Sequence, residues 1–385
     1  MRRIAVTLIV VVAALAAYLA WWPVPVQPVA WNAPPAPGYV GAHAVNQRLA
    51  GLHAIDLGAD IGPEHIVWRD GWLYAAVASG AILRMRPDGS ERQAVVHTGG
   101  RPLGFDFDAH GALVIADPMA GEHGGLLRVD PARGTGPQAQ IEWLTDSVHG
   151  DPIRYADGVV VAKSGKIYFT DASRRFAAKA WGGTFHASVL DIVEHQSTGR
   201  VLEYDPATKS TRVLLSDLCF PNGIALSSDE QQLFVNETGE YRIWKLSVNA
   251  KDLSAKQPGP EATVLLANLP GHPDNLMRGS DGRLWVGLVK PRGAFIDNSA
   301  GKPWLRKLAL RLPQALWPVP PAYGHVFAFD ESGKVLVDLQ DPSGAYPETT
   351  AITETPDRLY VQSLHAKTLG WVEKSKAGLQ GPVQP

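Results

Sequence analysis

From Gly51 onward the chain alternates apolar and polar residues over short stretches broken by Asp-Gly, Ser-Gly and Pro-x-Gly turns. After the Asp281-Gly282 turn, for example, Leu284, Val286 and Leu288 alternate with Arg283, Trp285 and Gly287. Amphipathic helical spacing is nearly missing, so the chain reads as all-β. A loose unit recurs: a Gly/Pro/Asn-rich start, an apolar strand, a turn, an aromatic strand, and often a third strand carrying Arg or Lys. It occupies Gly62–Gly89, Gly100–Asp130, Tyr155–Ser173 with Gly199–Pro206, Phe220–Leu246, His272–Val289 with Gly324–Gly333, and Glu348–Glu373. Six such units predict a six-bladed β-propeller, with four-stranded blades around a central channel. The stretch Gly51–Gly58 is expected to add a strand to the last blade and close the ring. Two inserts, Arg174–Gly199 and Arg292–Pro320, predict short helical excursions that cap one face. In the second, Leu305, Leu308, Leu310 and Leu312 with Trp304 and Trp317 suit either a neighbouring surface or lipid.

One segment departs from the strand pattern. Ile4–Ala20 is continuously apolar, preceded by Arg2 and Arg3 and followed by Trp21 and Trp22. It approaches the roughly 20 residues that span a bilayer as a helix. A cleaved signal peptide shares the positive start and small residues such as Ala16 and Ala17. The tryptophan pair fits an interfacial belt, however, and no polar small-x-small site precedes the prolines. The expectation is an uncleaved transmembrane helix over residues 1–22, a stiff Pro-rich spacer over 23–50 and an exported propeller over 51–385, on the periplasmic or extracellular side.

With 385 residues, 45% of them hydrophobic, the chain can build a full core. A net charge of −2, with no long basic run, argues against a nucleic-acid surface and for a small-molecule partner. The single Cys219 excludes an intrachain disulfide and a Cys-based zinc site; beside Phe220 it reads as a small buried hydrophobe.

Aligning the units aligns the residues that start each inner strand. These are Pro63-Glu64, Arg101-Pro102, Ala156-Asp157, Pro221-Asn222 and Pro273-Asp274-Asn275. Asp and Asn are poor strand formers, and any one such pair alone is an ordinary turn. Their recurrence at one phase points instead to oxygens meeting at the channel. Carboxylates and amides without thiols or a histidine trio form a hard-cation site, for which Ca2+ is the natural occupant.

The stretches "GPEHI", "ADGVVVAKSGKIYFTDAS", "FPNGIALSSDEQQLFVNET" and "LPGHPDNLMRGSDGRLWVGL" resemble the strictosidine synthase-like family. That family belongs with the gluconolactonase, senescence marker protein and paraoxonase superfamily of six-bladed calcium propellers. The resemblance covers most of residues 60–375, and it implies that Glu64, Asn222, and Asp274 or Asn275 stand where the family's calcium ligands stand. Ala156 replaces an asparagine common in the family. The plant synthases' disulfide is excluded, and Glu348 lies near their last-blade glutamate without a secure register, so strictosidine synthesis is not expected.

The expected activity is calcium-dependent hydrolysis of lactones or aryl esters, with the metal polarising a carbonyl that water attacks. Asp157 and His272 are the preferred catalytic candidates, with His149 and His186 as further loop histidines; strand alternation turns His65 away from the channel. A different class fits the same residues: a non-catalytic propeller whose calcium stabilises the channel while loops bind a small molecule or a protein. The sequence leaves the oligomeric state open.

Overall fold

Each repeat unit folds as a sheet of consecutive antiparallel strands, and six of these sheets surround a channel. The structure, a computed structural model, describes residues 2–379. The inner strands of blades 1 to 6 are His65–Arg69, Gly104–Phe107, Ala156–Val161, Pro221–Leu226, Gly271–Arg278 and Thr349–Glu354. His53–Asp56 pairs with Thr368–Glu373 in blade 6, placing His53 opposite Trp371, so the ring closes with strands from both ends of the domain. Blade 3 gains a short fifth strand, Leu253–Ser254, parallel to Ser210–Leu218.

The core lies between the blades. Blades 4 and 5, for instance, join through Phe234, Ile243, Leu276, Val286, Phe327 and Phe329, all buried. Each large apolar side chain withdrawn in this way contributes on the order of 1.5–3 kcal/mol.

Blades 3 to 6 share a device that the sequence pattern did not reveal. Their inner strands bulge at one register, so that two residues face a single residue of the next strand. The bulged pairs are Asp157-Gly158, Asn222-Gly223, Asp274-Asn275 and Thr350-Ala351, opposite Thr170, Asn236, Gly287 and Gln362. A bulge re-aims a side chain, which is how poor strand formers come to sit inside strands. The second position must be small where blades crowd: a Cβ on Gly158 would lie 2.6 Å from the Asn222 carbonyl oxygen. Polar residues opposite the bulges then clasp the next blade. Thr170 Oγ1 donates to Asn222 O at 2.8 Å, Asn236 Nδ2 to Asp274 O at 2.6 Å, and Gln362 Nε2 to Ile66 O at 3.3 Å.

The two inserts carry helices over the channel end at which the inner strands begin: Thr184–Glu194 from blade 3, and Ala294–Asn298 with Pro303–Leu310 from blade 5. At the N-terminus, Arg2–Trp21 is a helix with mean hydropathy 2.5 and no buried residue, long and apolar enough to cross a membrane. Residues 23–50 form no strand, turn through a short 3₁₀ helix at Gly41–His43 and run along the propeller. Val26 and Leu49 are buried, and backbone N–H groups of Val29, Trp31 and Leu49 donate to Glu194, Ala300 and Gln340 carbonyls.

Candidate metal centre and pocket

In blades 2, 3 and 4 the loop that leads into the inner strand is held by an acidic residue at the end of the second strand. Asp117 accepts from the Arg101 amide at 2.9 Å, Asp171 from Tyr155 at 2.9 Å and Glu237 from Cys219 at 2.8 Å. These bonds set where blades 2, 3 and 4 deliver their next residues.

The common bulge puts Asp157, Asn222 and Asp274 at equivalent positions, and each keeps a buried Oδ1 with no hydrogen-bond partner. Three orphaned oxygens of this kind are costly unless something positive meets them. Burial, then the neighbouring Glu64 and Asp274 charges, push the Asp157 carboxyl far above the usual range. Burial and Glu64 raise Asp274 in the same way, while a hydrogen bond from Asn222 pulls it partly back. Glu64 is lifted to about 7 by burial, against the charge of Arg101. The Arg101 guanidinium donates to Glu64 Oε2 at 3.0 Å and occupies the place that blade 2 leaves without an oxygen. Once ionised, the three carboxylates against one guanidinium would leave two negative charges. One divalent cation would balance them, and the donors are all oxygen, so the residues fit calcium.

Asp274, not Asn275, shares the register of Asn222. Asn275 occupies the position of Gly158 and Gly223, and its Nδ2 donates to Glu64 O at 2.8 Å, bracing blade 5 against blade 1. In blade 6 the bulge presents Thr350, whose hydroxyl donates to the same Glu64 carbonyl at 2.8 Å.

Asn222 and Asp274 form part of the wall of an apolar cavity of about 150 Å³, roofed by the inserted helices through Phe185, Val189, Phe295 and Trp317. His272 lines it too. Its Nδ1 lies 3.1 Å from Thr238 O, and because a carbonyl only accepts, Nδ1 carries the proton and Nε2 keeps a free lone pair. Burial holds this imidazole neutral, down to about 4. On the opposite wall Lys290 pairs with Glu348 at 3.0 Å, and Glu348 also bonds His365. Although burial raises Glu348, those two partners pull it below the usual range.

The other histidines are elsewhere. His149 sits exposed in a turn at φ 52°. His186 Nδ1 bonds Trp181 O at 2.8 Å outside the cavity lining. His65 packs edge-on against Phe105 between blades 1 and 2. Sequence reading missed two buried clusters. Cys219 Sγ lies 3.4 Å from His195 Nδ1, and His195 Nε2 donates to Glu240 at 2.8 Å, under the stacked ring of Trp31. The arrangement resembles a nucleophile, base and orienter, but it is sealed, and burial keeps the thiol protonated. The second is His43, His325 and Asp338, the latter two deep in blade 5. Both imidazoles sit 2.7 Å from the same Asp338 oxygen, whereas ligands of a tetrahedral zinc sit roughly 3.3 Å apart, so hydrogen bonds close this cluster. Only spatial proximity could have exposed either, since their members lie far apart in sequence.

Residues 157–251 match the family model of strictosidine synthase, and residues 41–85 match that of the strictosidine synthase-like N-terminal region. Strictosidine synthase-like protein 6 of Arabidopsis thaliana is 32% identical over 80% of this chain and 76% of its own length. The adipocyte plasma membrane-associated protein of Danio rerio is 30% identical over 91% of this chain and 85% of its own. In fold, the chain is similar to a gluconolactonase from Xanthomonas campestris, with TM-score 0.57, 19% identity and coverage of 91% and 98% of the two chains. It is also similar to the calcium-binding protein regucalcin from Agrobacterium tumefaciens, with TM-score 0.52, 13% identity and coverage of 87% and 97%.

Proposed function

This chain belongs to the strictosidine synthase-like family, and on that premise we propose that it is a membrane-anchored, calcium-dependent hydrolase of lactones or aryl esters. The observation that carries the reading is the set of orphaned buried oxygens on Asp157, Asn222 and Asp274, two of whose bearers line an apolar cavity beside a neutral histidine. The names of two fold neighbours, a gluconolactonase and a calcium-binding regucalcin, agree with it without carrying it.

In this reading Glu64, Asn222 and Asp274 hold the cation, and Asp157 supplies a further carboxylate. When bound, calcium polarises the substrate carbonyl and stabilises the negative charge that water's attack creates. His272 Nε2 takes the proton of the attacking water and returns it to the departing alkoxide or phenoxide as the acyl C–O bond breaks. The cavity walls exclude bulk water and hold the apolar part of the substrate. The anchor is Arg2–Trp21, with the propeller on the non-cytoplasmic side because the arginines precede the apolar run.

The test is turnover of phenyl acetate and a panel of small lactones by the calcium-loaded protein. Activity should vanish on chelation and return with calcium, and His272→Gln should lower kcat by about a hundredfold or more while leaving calcium binding intact. Calcium binding without any turnover above background would make this a ligand-binding propeller instead.

A further inference from the structure

The insert of blade 5 carries chemistry that a cavity roof does not need. Between Asn298 and Phe329 there is no acidic residue, while Lys302, Arg306, Lys307 and Arg311 are all present. Trp304, Leu316 and Val319 are exposed, Trp304 and Leu316 at 63% each. Exposed apolar groups beside unopposed cations are the composition of a segment that lies in a membrane interface.

The structure also ties this insert to the anchor. Arg311, which caps helix Pro303–Leu310, donates from Nε to Trp22 O at 2.7 Å and from Nη1 to Leu19 O at 2.8 Å. Tyr18 returns a hydroxyl bond to Arg311 O at 3.0 Å. Trp21 and Trp22 end the apolar helix, the position at which tryptophans mark the headgroup level. The end of helix Pro303–Leu310 is therefore held at that same depth. Arg306, on the inner face of the helix, is buried and donates to Val193 O at 2.7 Å, which fixes the insert to the helix of blade 3.

We propose that Pro303–Pro320 is a second membrane contact, which seats on anionic lipid and lays the mouth of the central cavity on the bilayer. Val319 belongs at once to the cavity wall and to the exposed face, so an apolar molecule leaving the bilayer would meet the cavity directly. Exposed Lys302 and the partly exposed Lys307 and Arg311 supply the charge, each worth about fivefold in affinity for an anionic surface. The inference rests on the anchoring of Arg2–Trp21 and not on catalysis, so it stands or falls independently of turnover.

The test uses the full chain in phosphatidylcholine vesicles, with and without added phosphatidylglycerol. A fluorophore is placed at Leu316→Cys or, as reference, at Ser164→Cys, in an exposed turn at the far end of the propeller. Cys219 is fully buried and stays unlabelled. Lipids carrying a nitroxide near the headgroup should quench the label at 316 several-fold more than the label at 164. The double change Lys302→Glu and Lys307→Glu should reduce that quenching in the anionic vesicles, with the melting temperature unchanged. Equal quenching at the two positions overturns the proposal. So does a label at 316 that is shielded from water but not reached by lipid quenchers, which would assign the face to a protein partner. Quenching indifferent to the charge reversal overturns the role given to anionic lipid.

Discussion

The propeller buries two kinds of carboxylate. In one kind the carboxylate has a cation of its own. Glu354 accepts from Arg283 at 2.7 Å, Lys374 at 2.5 Å and Trp285 at 2.9 Å. Glu237 accepts from Arg242 and from Trp244, both at 2.6 Å, and Asp171 pairs with Arg200 at 2.9 Å. At the centre Asp157 and Asp274 have no cation, and Glu64 shares only Arg101. Burial raises Asp157, Asp274 and Glu64, keeps Asp171 raised even against Arg200, and on its own would raise Glu354. Partners reverse it for Glu354, which falls to about 2, but nothing reverses it for Asp157 or Asp274. Burial of a charge therefore says little about role: Asp157 and Asp274 differ from Glu354 in lacking a protein cation, and from Asp117 and Asp106, which lack one too, in that two or more backbone N–H groups bond each of those.

Removing a carboxylate from each set tests this contrast most strongly. Glu354→Gln strands Arg283 and Lys374 and should cost about 3–5 kcal/mol in chemical denaturation, with or without calcium. If calcium restored that loss, the peripheral group would not be purely structural. Next in size, saturating the wild-type protein with calcium should stabilise it by about 2.7 kcal/mol at a hundred times the dissociation constant, read as a rise in melting temperature. Asp274→Asn should abolish most of that gain and Asn222→Ala less of it, since carboxylate charge tunes calcium affinity.

A smaller effect carries opposite signs in two states. Asp157→Asn removes a buried carboxyl that the calcium-free fold can hold only protonated, so the calcium-free protein should gain on the order of 1 kcal/mol at neutral pH, whereas the calcium-loaded protein should lose affinity. If Asp157 acted only on a proton during turnover, calorimetric calcium affinity would stay unchanged while kcat fell.

The gentlest test is pH. In the calcium-free protein the central carboxyls keep protons that the unfolded chain has already released, so stability should fall as pH rises from about 4.5 towards 7. Glu354 acts the other way: its contribution is complete above the ordinary glutamate range and is lost as pH falls towards 2. Adding calcium should flatten the first slope and leave the second. A first slope unaltered by calcium would mean that the cation does not bind these groups.

Much of this was legible along the chain. Period-two alternation and turn residues fixed the repeat, its six copies predicted the six blades, and the stretch near Gly51 was expected as the closing strand because closure removes exposed edges. The phase of the repeat also brought Glu64, Asp157, Asn222 and Asp274 forward as a set. It could not separate Asp274 from Asn275, because that choice depends on a bulge, and a bulge is a mismatch between two strands that neither strand encodes alone. The same holds for Arg101. As a sequence position it was the one place without an oxygen; as a neighbour of Glu64 it sets the charge that the centre lacks.

Local chemistry thus settled what depends on neighbours in the chain: strand period, turns, the apolar N-terminal helix and the type of atom offered at each inner strand. Tertiary structure settled what depends on partners across it. The stiffness of the proline-rich stretch from Pro23 to Pro37 was predictable from φ restriction, but the bonds of segment 23–50 to Glu194, Ala300 and Gln340 were not. His272 became a neutral imidazole only through burial, with its Nε2 left free by the Nδ1 bond to Thr238, and Cys219 met His195, under the ring of Trp31, only in the folded chain. Protonation and access are properties of a residue's surroundings, and in a propeller those surroundings come from other blades.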